Sequence, residues 1–391
     1  MFDRLEHIPR DPLWALTEAF RLDAHENKMD LILGVYKNEA GQTPVLDAVQ
    51  QAERQLALAA KSKTYRPLTG NVTFTEEIPR LVLGERNQYL QNTVSVQTVG
   101  GAGALRSLGD LVAWSNPNAT VWVSRPGYIN HEPIMLAAGL KVKYYPWEIR
   151  EGELSVEAIQ HAMRDAKAGD VLLIQGCCHN PTGIDPSHEA WDQISIFCEA
   201  RGLVPLIDIA YQGLGNGMQE DAAGLRHMVD TLETVMIAVS CSKNMSLYCE
   251  RTGAALVVQK NRNLKYNVTA ALEQIARRSI SMPPEHGAAV AVSLLLYPQP
   301  WLNELEQMRY RISRLRGALF DAFLNNRMPD EFLAVKRHVG MFSLLPIDQS
   351  QVIELRNEYG IYCTNEGRIN VAGLTYKNVD AFANALKNII K

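Results

Sequence analysis

The middle of the chain alternates short apolar runs with segments of helical periodicity. Seven apolar runs predict β-strands: TVSVQTV (93–99), ATVWVS (119–124), LKVKYY (140–145), VLLIQ (171–175), LVPLID (203–208), TVMIAVS (234–240) and GAALVV (253–258). Between several of them, amphipathic segments predict helices, among them residues 104–114, 156–166 and 190–200. Because strands that alternate with helices form parallel sheets, this region predicts an α/β domain with a mostly parallel seven-stranded sheet flanked by helices.

The pattern changes after a long helical segment that runs from Trp301 to about Asn325 and connects two domains. Beyond it, short strands at 332–338, 341–345 and 368–372 interleave with helices near 349–359 and 375–390, which predicts a smaller α+β domain. The first forty or so residues have no strand partner nearby and are expected to pack on that domain. The predicted division is an N-terminal arm that belongs partly to the small domain (1–43), a large domain (44–312) and a small C-terminal domain (313–391).

Composition and charge favour small molecules as partners. The 391 residues include 39 Lys and Arg against 43 Asp and Glu, so no overall positive field attracts nucleic acid or an anionic membrane. The longest nearly apolar stretch, 288–296, is shorter than the ~20 residues that span a bilayer. The N-terminus lacks a basic stretch followed by an apolar run. We therefore expect a cytoplasmic protein that binds neither nucleic acid nor membrane.

The six cysteines show neither a C-x-x-C pair nor the spacing of a zinc site. Cys177 and Cys178 are adjacent, and neighbouring residues on a strand point to opposite faces. That alternation argues against a shared metal ion or an easy disulfide, so we expect reduced thiols without a chemical role and no metal site.

Four loops that follow predicted strands carry unusual residues. Ligands of open α/β sheets bind at the carboxyl ends of the strands, where these loops lie. Each loop alone has a simple structural explanation, such as a tight turn, a local Asn bond, a helix cap or a solvated lysine. The four are Gly100-Gly101-Ala102-Gly103, His179-Asn180-Pro181-Thr182-Gly183, Asp208-Ile209-Ala210-Tyr211, and Ser240-Cys241-Ser242-Lys243-Asn244 with Arg251 shortly after.

Together the loops supply the parts of one site. Asp208 and Lys243 lie one strand-helix-strand step apart, so their side chains can meet at neighbouring strand ends. A lysine that forms a Schiff base, a carboxylate that holds a pyridinium proton, and a glycine turn with Ser and Arg for a phosphate are the parts of a pyridoxal 5'-phosphate site.

With these parts in this order, the chain resembles the class I, fold-type I aminotransferases of the aspartate/aromatic subfamily over essentially its whole length. The resemblance rests on the order and spacing of GVYKNEAGQTPVL (34–46), GGAGALR (100–106), GCCHNPTGIDP (176–186), DIAYQG (208–213), SCSKN (240–244), YCERTGA (248–254), PPEHGA (283–288) and GRINVAG (367–373).

The resemblance implies a role for each catalytic residue. Lys243 would bind the cofactor as a Schiff base and then, as a free amine, move the proton from the substrate Cα. Asp208 would keep the pyridine nitrogen protonated. Tyr211 and Asn180 would hydrogen-bond the phenolic oxygen of the cofactor.

The resemblance also implies how the phosphate is bound and that the subunits pair. The residues expected around the phosphate are Gly101, Ala102, Gly103, Ser240, Ser242 and Arg251. Tyr65 would reach the phosphate from the neighbouring subunit, which makes a homodimer with shared active sites the functional unit.

Substrate binding is implied for two arginines and a glycine. Arg368 would bind the α-carboxylate, because a planar guanidinium matches a carboxylate in a bidentate fork. Arg277 would reach across from the other subunit and bind the side-chain carboxylate of the substrate. The adjacent Arg278 is the alternative residue for this role. Gly34 would line the substrate site. Together they favour a dicarboxylic substrate.

Two positions depart from the family pattern. Ala102 stands where the family usually has Thr or Ser, which removes one hydroxyl donor to the phosphate, worth about 1 kcal/mol. Tyr128 stands where the family usually has a tryptophan stacked on the cofactor ring, and it lacks the indole N–H. The second departure leaves the amino donor open.

The predicted function is transfer of an amino group from aspartate or an aromatic amino acid to 2-oxoglutarate, by ping-pong chemistry between pyridoxal phosphate and pyridoxamine phosphate. The alternatives are a specialised biosynthetic substrate or a lyase or β-decarboxylase on the same fold, and a non-catalytic binding protein. A nicotinamide dehydrogenase is weaker, because the G-x-G-x-x-G motif is missing. His131 and His179 are expected to be structural, with His131 able to influence Asp208.

Overall fold

The structure is a computed structural model that describes residue 2 and residues 10–390. Among the described residues, the strands are β1 (Met29–Asp30), β2 (Thr93–Val99), β3 (Thr120–Arg125), β4 (Lys141–Pro146), β5 (Ile149–Arg150), β6 (Glu153–Leu154), β7 (Val171–Gln175), β8 (Val204–Ile209), β9 (Thr234–Ser240), β10 (Thr252–Gln259), β11 (Phe342–Leu344), β12 (Ile361–Tyr362) and β13 (Arg368–Asn370).

The α-helices of the same residues follow in chain order. They are α1 (Pro12–Leu22), α2 (Asp47–Ala59), α3 (Val72–Leu83), α4 (Gly100–Ser115), α5 (His131–Ala137), α6 (Val156–Ala162), α7 (His188–Arg201), α8 (Ala223–Thr231), α9 (Lys265–Ser279), α10 (Glu285–Leu296), α11 (Pro298–Asn325), α12 (Asp330–Leu333), α13 (Gln349–Tyr359) and α14 (Val379–Ile389). None of these helices combines the length and the apolar character that crossing a lipid bilayer requires.

The described residues divide into two compact units. The sheet unit consists of Val45–Asn180 and Ile184–Tyr310. The terminal unit consists of the described residues up to Pro44, Pro181–Gly183, and those from Arg311 onward. One division between the units therefore falls inside α11.

The sheet unit is built on seven strands in the order β2-β10-β9-β8-β7-β3-β4. Strands β3, β4, β7, β8 and β9 run parallel to one another, whereas β10 is antiparallel to both β2 and β9. Helix α4 packs on one face of this sheet through Ala104, Leu105 and Leu108, which are buried among strand residues. The predicted α/β fold with a mostly parallel seven-stranded sheet is confirmed.

The predicted strands lie close to the observed ones because they are buried. Three of them, 93–99, 171–175 and 234–240, agree residue for residue with β2, β7 and β9. A strand buried on both faces leaves a continuous apolar run, whose ends are easy to read from the sequence.

The terminal unit has its own core and two small two-stranded sheets. Phe323, Leu355 and Phe382 lie in this core and are fully buried. In one sheet β11 pairs antiparallel with β13, and in the other β1 pairs parallel with β12. The early residues thus have a strand partner near the C-terminus, which the sequence pattern did not indicate. The start of the predicted arm, residues 1 and 3–9, lies outside the described residues.

The prediction of a strand at 332–338 is wrong. This segment forms the end of α12 and a 3₁₀ turn at Ala334–Lys336. Phe332 and Val335 are both buried, and their three-residue spacing places them on one side of a helix. Acidic residues in the first turn, after Pro329, also favour the start of a helix.

Candidate active site

A cavity of about 200 Å³ opens in the sheet unit at the carboxyl ends of its parallel strands. Its lining contains ten residues that the sequence predicted for the site, namely Gly101, Ala102, Tyr128, Asn180, Asp208, Tyr211, Ser240, Ser242, Lys243 and Arg251. Four lining residues were not predicted, namely Leu105, Gln175, Ala210 and Tyr248. The fold therefore brings the predicted loops together around one space.

One side of the cavity is the start of α4. The helix begins at Gly100, directly after β2, so the glycine loop is itself the first helical turn. The N–H groups of a first turn have no partner within the helix, and the helix dipole adds positive potential there. Gly100 has φ of +66°, and a Cβ atom on it would lie 2.5 Å from Nη2 of Arg251. Only glycine lets the guanidinium approach this turn so closely.

Arg251 is held beside two buried hydroxyls. Its Nη1 donates to the carbonyl of Tyr248 at 3.0 Å and to Oγ of Ser242 at 3.4 Å. The Ser242 N–H donates to Oγ of Ser240 at 3.2 Å. With the first turn of α4, these groups form a set of donors suited to a phosphate.

At the other side of the cavity a buried carboxylate meets a histidine. Oδ2 of Asp208 lies 2.8 Å from Nε2 of His131, and both side chains are almost fully buried. The ring of Tyr128 packs edge-on against the His131 ring, with centroids 5.2 Å apart. A buried carboxylate is costly without a partner, and His131 provides one from the start of α5, 77 residues away in the sequence.

Lys243 follows β9 and faces an aromatic ring. Its Nζ lies 4.9 Å from the centroid of the Tyr211 ring, within the range of a cation–π contact. The fold thus places an amine, a phenol and the Asp208 carboxylate in the lining of one cavity.

His179 is a structural residue of the loop after β7. Its ring stacks on Trp147 with centroids 3.8 Å apart, and its backbone N–H donates to Oδ1 of Asp185. Burial lowers the pKa of His179 well below its usual range, so the ring is neutral near pH 7.

The geometric argument about Cys177 and Cys178 is wrong. They follow the end of β7 rather than lie on a strand, and Cys178 has φ of +52°. As a result both sulfurs and a carboxylate oxygen of Asp221 lie within 4.8 Å of one another.

These three groups are nevertheless poor metal ligands. A hydrogen bond with Cys178 lowers the pKa of Cys177, but burial and the nearby Asp221 and Asp185 carboxylates together outweigh it and raise that pKa to about 11. The pKa of Cys178 is raised by the same hydrogen bond and by burial. Thiols that stay protonated bind metals weakly. The Asp221 carboxylate already accepts four backbone N–H groups between residues 213 and 217.

The remaining predicted residues lie outside this lining. Gly103 belongs to the first turn of α4. Tyr65 is 89% exposed on the sheet unit. Arg277 is exposed and donates to Oγ of Ser281, whereas Arg278 lies over the ring of Trp114 at 4.8 Å. Both arginines therefore contact residues of their own unit, and the choice of Arg277 stays a prediction.

Arg368 and Gly34 lie in the terminal unit. The Arg368 guanidinium is buried, donates to the carbonyl of Ile32 and lies over the ring of Phe342 at 4.6 Å. Two residues along β13, the Asn370 amide donates to the carbonyls on either side of Gly34 at 2.8 and 2.7 Å. The terminal unit therefore fixes Arg368 and the Gly34 segment beside each other.

The sequence model described as aminotransferase class I and II matches residues 26–386. The chain belongs to this family. The aminotransferase is similar to the aromatic-amino-acid aminotransferase of Pseudomonas aeruginosa, with 38% identity over 99% of this chain and 98% of the relative. It is also similar to the aspartate aminotransferase of Escherichia coli, with 36% identity over 100% of both chains.

Among solved structures, the aminotransferase resembles the aromatic-amino-acid aminotransferase from Burkholderia pseudomallei, which is covalently bound to pyridoxal phosphate. The TM-score is 0.96, the identity is 34%, and 100% of both chains is covered. The predicted family and its dependence on pyridoxal phosphate are confirmed. The donors around the cavity fit that cofactor, because a helix start with Arg251 suits its phosphate and a buried carboxylate suits its pyridine nitrogen.

Proposed function

We propose that this amino-acid aminotransferase transfers the amino group of aspartate or an aromatic amino acid to 2-oxoglutarate by a ping-pong mechanism. The observation that carries the proposal is that Lys243, Asp208 and the phosphate-type donors at the start of α4 all line one cavity. When bound there, pyridoxal phosphate supplies an electron sink for the carbanion that forms at the substrate Cα.

The proposed cofactor contacts follow from the lining. The first turn of α4, with Gly101, Ala102 and Gly103, would bind the phosphate together with Ser240, Ser242 and Arg251. Asp208, supported by His131, would hold the proton on the pyridine nitrogen. Tyr211 and Asn180 would donate hydrogen bonds to the phenolic oxygen, and Tyr128 would flank the ring.

Lys243 is the proposed catalytic amine. Its Nζ lies 4.9 Å from the centroid of the Tyr211 ring. In the reaction the neutral amine would take the proton from the substrate Cα as a base and would then give it up again as an acid. Tyr211 keeps the amine inside the cavity while it changes protonation state.

Substrate carboxylates are the proposed ligands of two arginines. Arg368 is buried and fixed on the Ile32 carbonyl and the Phe342 ring, so its guanidinium is oriented before a carboxylate binds. Gly34, held by Asn370, would border the same substrate. Arg277 would bind a second carboxylate, which makes 2-oxoglutarate a suitable acceptor.

We infer a homodimer with shared active sites. Tyr65 and Arg277 are both exposed and absent from the lining of the cavity, as expected of residues that act in a partner subunit. We also propose that the sheet unit is the large cofactor-binding domain, that the terminal unit is the small domain, and that the protein is cytoplasmic.

The test is a matrix of amino donors and oxo acids with the enzyme loaded with pyridoxal phosphate. The proposal predicts that aspartate or an aromatic donor releases its oxo acid stoichiometrically without an acceptor, and that 2-oxoglutarate then yields glutamate. Parallel lines in double-reciprocal plots would support the ping-pong order. Lys243→Ala is the control that removes the amine together with the methylenes that carry it.

Tyr128 and Ala102 keep one alternative open, since both depart from the family pattern around the cofactor. If carbon dioxide or ammonia is released and nothing is transferred to 2-oxoglutarate, the enzyme is a lyase or β-decarboxylase. If the only donor that reacts is neither aspartate nor an aromatic amino acid, the enzyme has a specialised biosynthetic substrate.

A further inference from the structure

The side-chain amide of Gln175 closes the loop that carries Asn180. Gln175 is the last residue of β7, and its Nε2 donates to the carbonyl of Asn180 at 2.9 Å. In return the Asn180 N–H donates to Oε1 of Gln175, also at 2.9 Å. Both residues are almost fully buried and both line the cavity. One side chain therefore satisfies both backbone groups of Asn180.

A second side chain, that of Asp185, holds the middle of the same loop. Asp185 accepts the N–H groups of Cys178 and His179 at 2.7 and 2.8 Å. Cys178 has φ of +52°, a conformation that costs free energy for a residue with a side chain. Asp185 thus fixes the middle of the loop, whereas Gln175 fixes its end.

Gln175 is also the strand neighbour of Asp208. The register of the parallel pair β7 and β8 places their Cα atoms opposite each other. A neutral amide at this position adds no charge beside the carboxylate, whose partner is His131. The amide is neutral and carries its donor and its acceptor on separate atoms, so it can bind the N–H and the carbonyl of Asn180 at once.

We infer that Gln175 is a positioning residue that directs the Asn180 side chain into the cofactor cavity. The inference rests on the proposed function, in which Asn180 hydrogen-bonds the phenolic oxygen of pyridoxal phosphate. Gln175 acts through the backbone of Asn180, so its effect depends on the Asn180 side chain being present. This dependence distinguishes positioning from general support of the fold.

A double-mutant cycle with Gln175→Met and Asn180→Ala tests the inference. Asn180→Ala keeps the backbone groups that Gln175 binds but removes the amide that contacts the cofactor. The readouts are the dissociation constant of pyridoxal phosphate, the visible circular dichroism of the bound cofactor, and kcat and KM separately. Thermal unfolding of the cofactor-free variants reports on folding. Gln193→Met is the matched control, because Gln193 is exposed on α7.

We expect Gln175→Met to weaken pyridoxal phosphate binding by about tenfold, because the two hydrogen bonds that fix the Asn180 backbone are lost. We also expect it to change the visible circular dichroism and to lower kcat more than it changes KM. Added to Asn180→Ala, the same substitution should have little further effect. Gln193→Met should match the wild type.

Additive effects of the two substitutions would overturn the inference, because Gln175 would then act independently of the Asn180 side chain. If Gln175→Met does not fold, Gln175→Asn replaces it in the cycle, with the same expectation. Its amide stays neutral beside Asp208 but is one methylene shorter, so it cannot reach both backbone groups of Asn180. A wild-type protein that binds no pyridoxal phosphate overturns the proposed function as well. If the wild-type protein binds pyridoxal phosphate and transaminates, but the effects of the two substitutions add, only the inference about Gln175 is overturned.

Discussion

Nε2 of His131 lies 2.8 Å from Oδ2 of Asp208, and the two side chains are buried together beside the cavity. The contact joins the start of α5 to the end of β8. It leaves the carboxylate with a fixed direction, because one of its oxygens is engaged before any ligand binds. A carboxylate held in this way can present its other oxygen to a pyridine nitrogen without reorganising.

Replacing His131 with Phe should therefore impair the cofactor site. A hydrogen bond to a charged group is worth about 1.5–3 kcal/mol, so we expect kcat/KM to fall by roughly 10- to 100-fold and pyridoxal phosphate to bind more weakly. Steady-state kinetics and equilibrium dialysis measure both effects. His227→Phe is the control, since His227 forms an exposed pair with Asp192 at 3.3 Å. Equal effects of the two substitutions would contradict the role of His131.

Replacing Ala102 with Ser should tighten cofactor binding. Ala102 lies in the first turn of α4 and lines the cavity, so a hydroxyl there faces the proposed phosphate position. One added neutral hydrogen bond of about 1 kcal/mol corresponds to roughly a fivefold lower dissociation constant. Fluorescence titration of the cofactor-free protein measures it. An unchanged or higher constant would place the phosphate elsewhere.

Much of this fold follows from the sequence, and the reason is burial. The strand VLLIQ is buried along its whole length, so its limits were read correctly at 171–175. The direction of β10 was not predicted, because an apolar run such as GAALVV contains no signal for parallel or antiparallel pairing. The segment FLAVKRH was misread because its apolar residues fit both the two-residue period of a strand and the 3.6-residue period of a helix. The spacing of Phe332 and Val335 favours the helix.

The site was predictable where chemistry demands a residue type and less so where a partner comes from elsewhere. Asp208 at the end of an apolar strand indicated a missing partner. The resemblance suggested that His131 could influence Asp208, and the fold shows the direct contact. Gln175 was missed because a single amide at a strand end matches no motif. Its significance depends on the backbone of Asn180, which the sequence does not place.

Glu304 should stabilise the sheet unit by capping a helix distant in sequence. Its two carboxylate oxygens accept the N–H groups of Asp47 and Ala48 at 2.8 and 2.9 Å, at the start of α2. A carboxylate at a helix N-terminus contributes about 1 kcal/mol, so Glu304→Gln should lower the free energy of unfolding by about that amount. Urea denaturation measures the change. Glu306→Gln, two residues along α11, is the control, and an equal loss there would contradict the capping role.

His338 should make the protein less stable in acid. Burial, with Arg316 and Arg337 nearby, lowers the pKa of His338 from 6.5 to about 3. Below pH 6.5 the unfolded chain therefore binds a proton that the folded protein does not, so this contribution to stability falls as the pH drops towards 3. Above pH 6.5 it is constant.

We expect His338→Gln to flatten the acid limb of a plot of unfolding free energy against pH, by up to about 1 kcal/mol per pH unit. Chemical denaturation at a series of pH values measures the slope. His286→Gln, at an exposed histidine, should leave the slope unchanged. A parallel acid limb for His338→Gln and the wild type would show that the histidine is not kept neutral by the fold.

The central claim is that the cavity of the sheet unit binds pyridoxal phosphate and that Lys243 is its reactive amine. Borohydride reduction of the loaded protein, followed by digestion and mass spectrometry, tests it most directly, because reduction fixes the cofactor on the lysine to which it is bound. We predict one phosphopyridoxyl group per chain, on the peptide that contains Lys243, and none on the Lys243→Ala variant. A label on another lysine, or no label on the wild-type protein, would contradict the account.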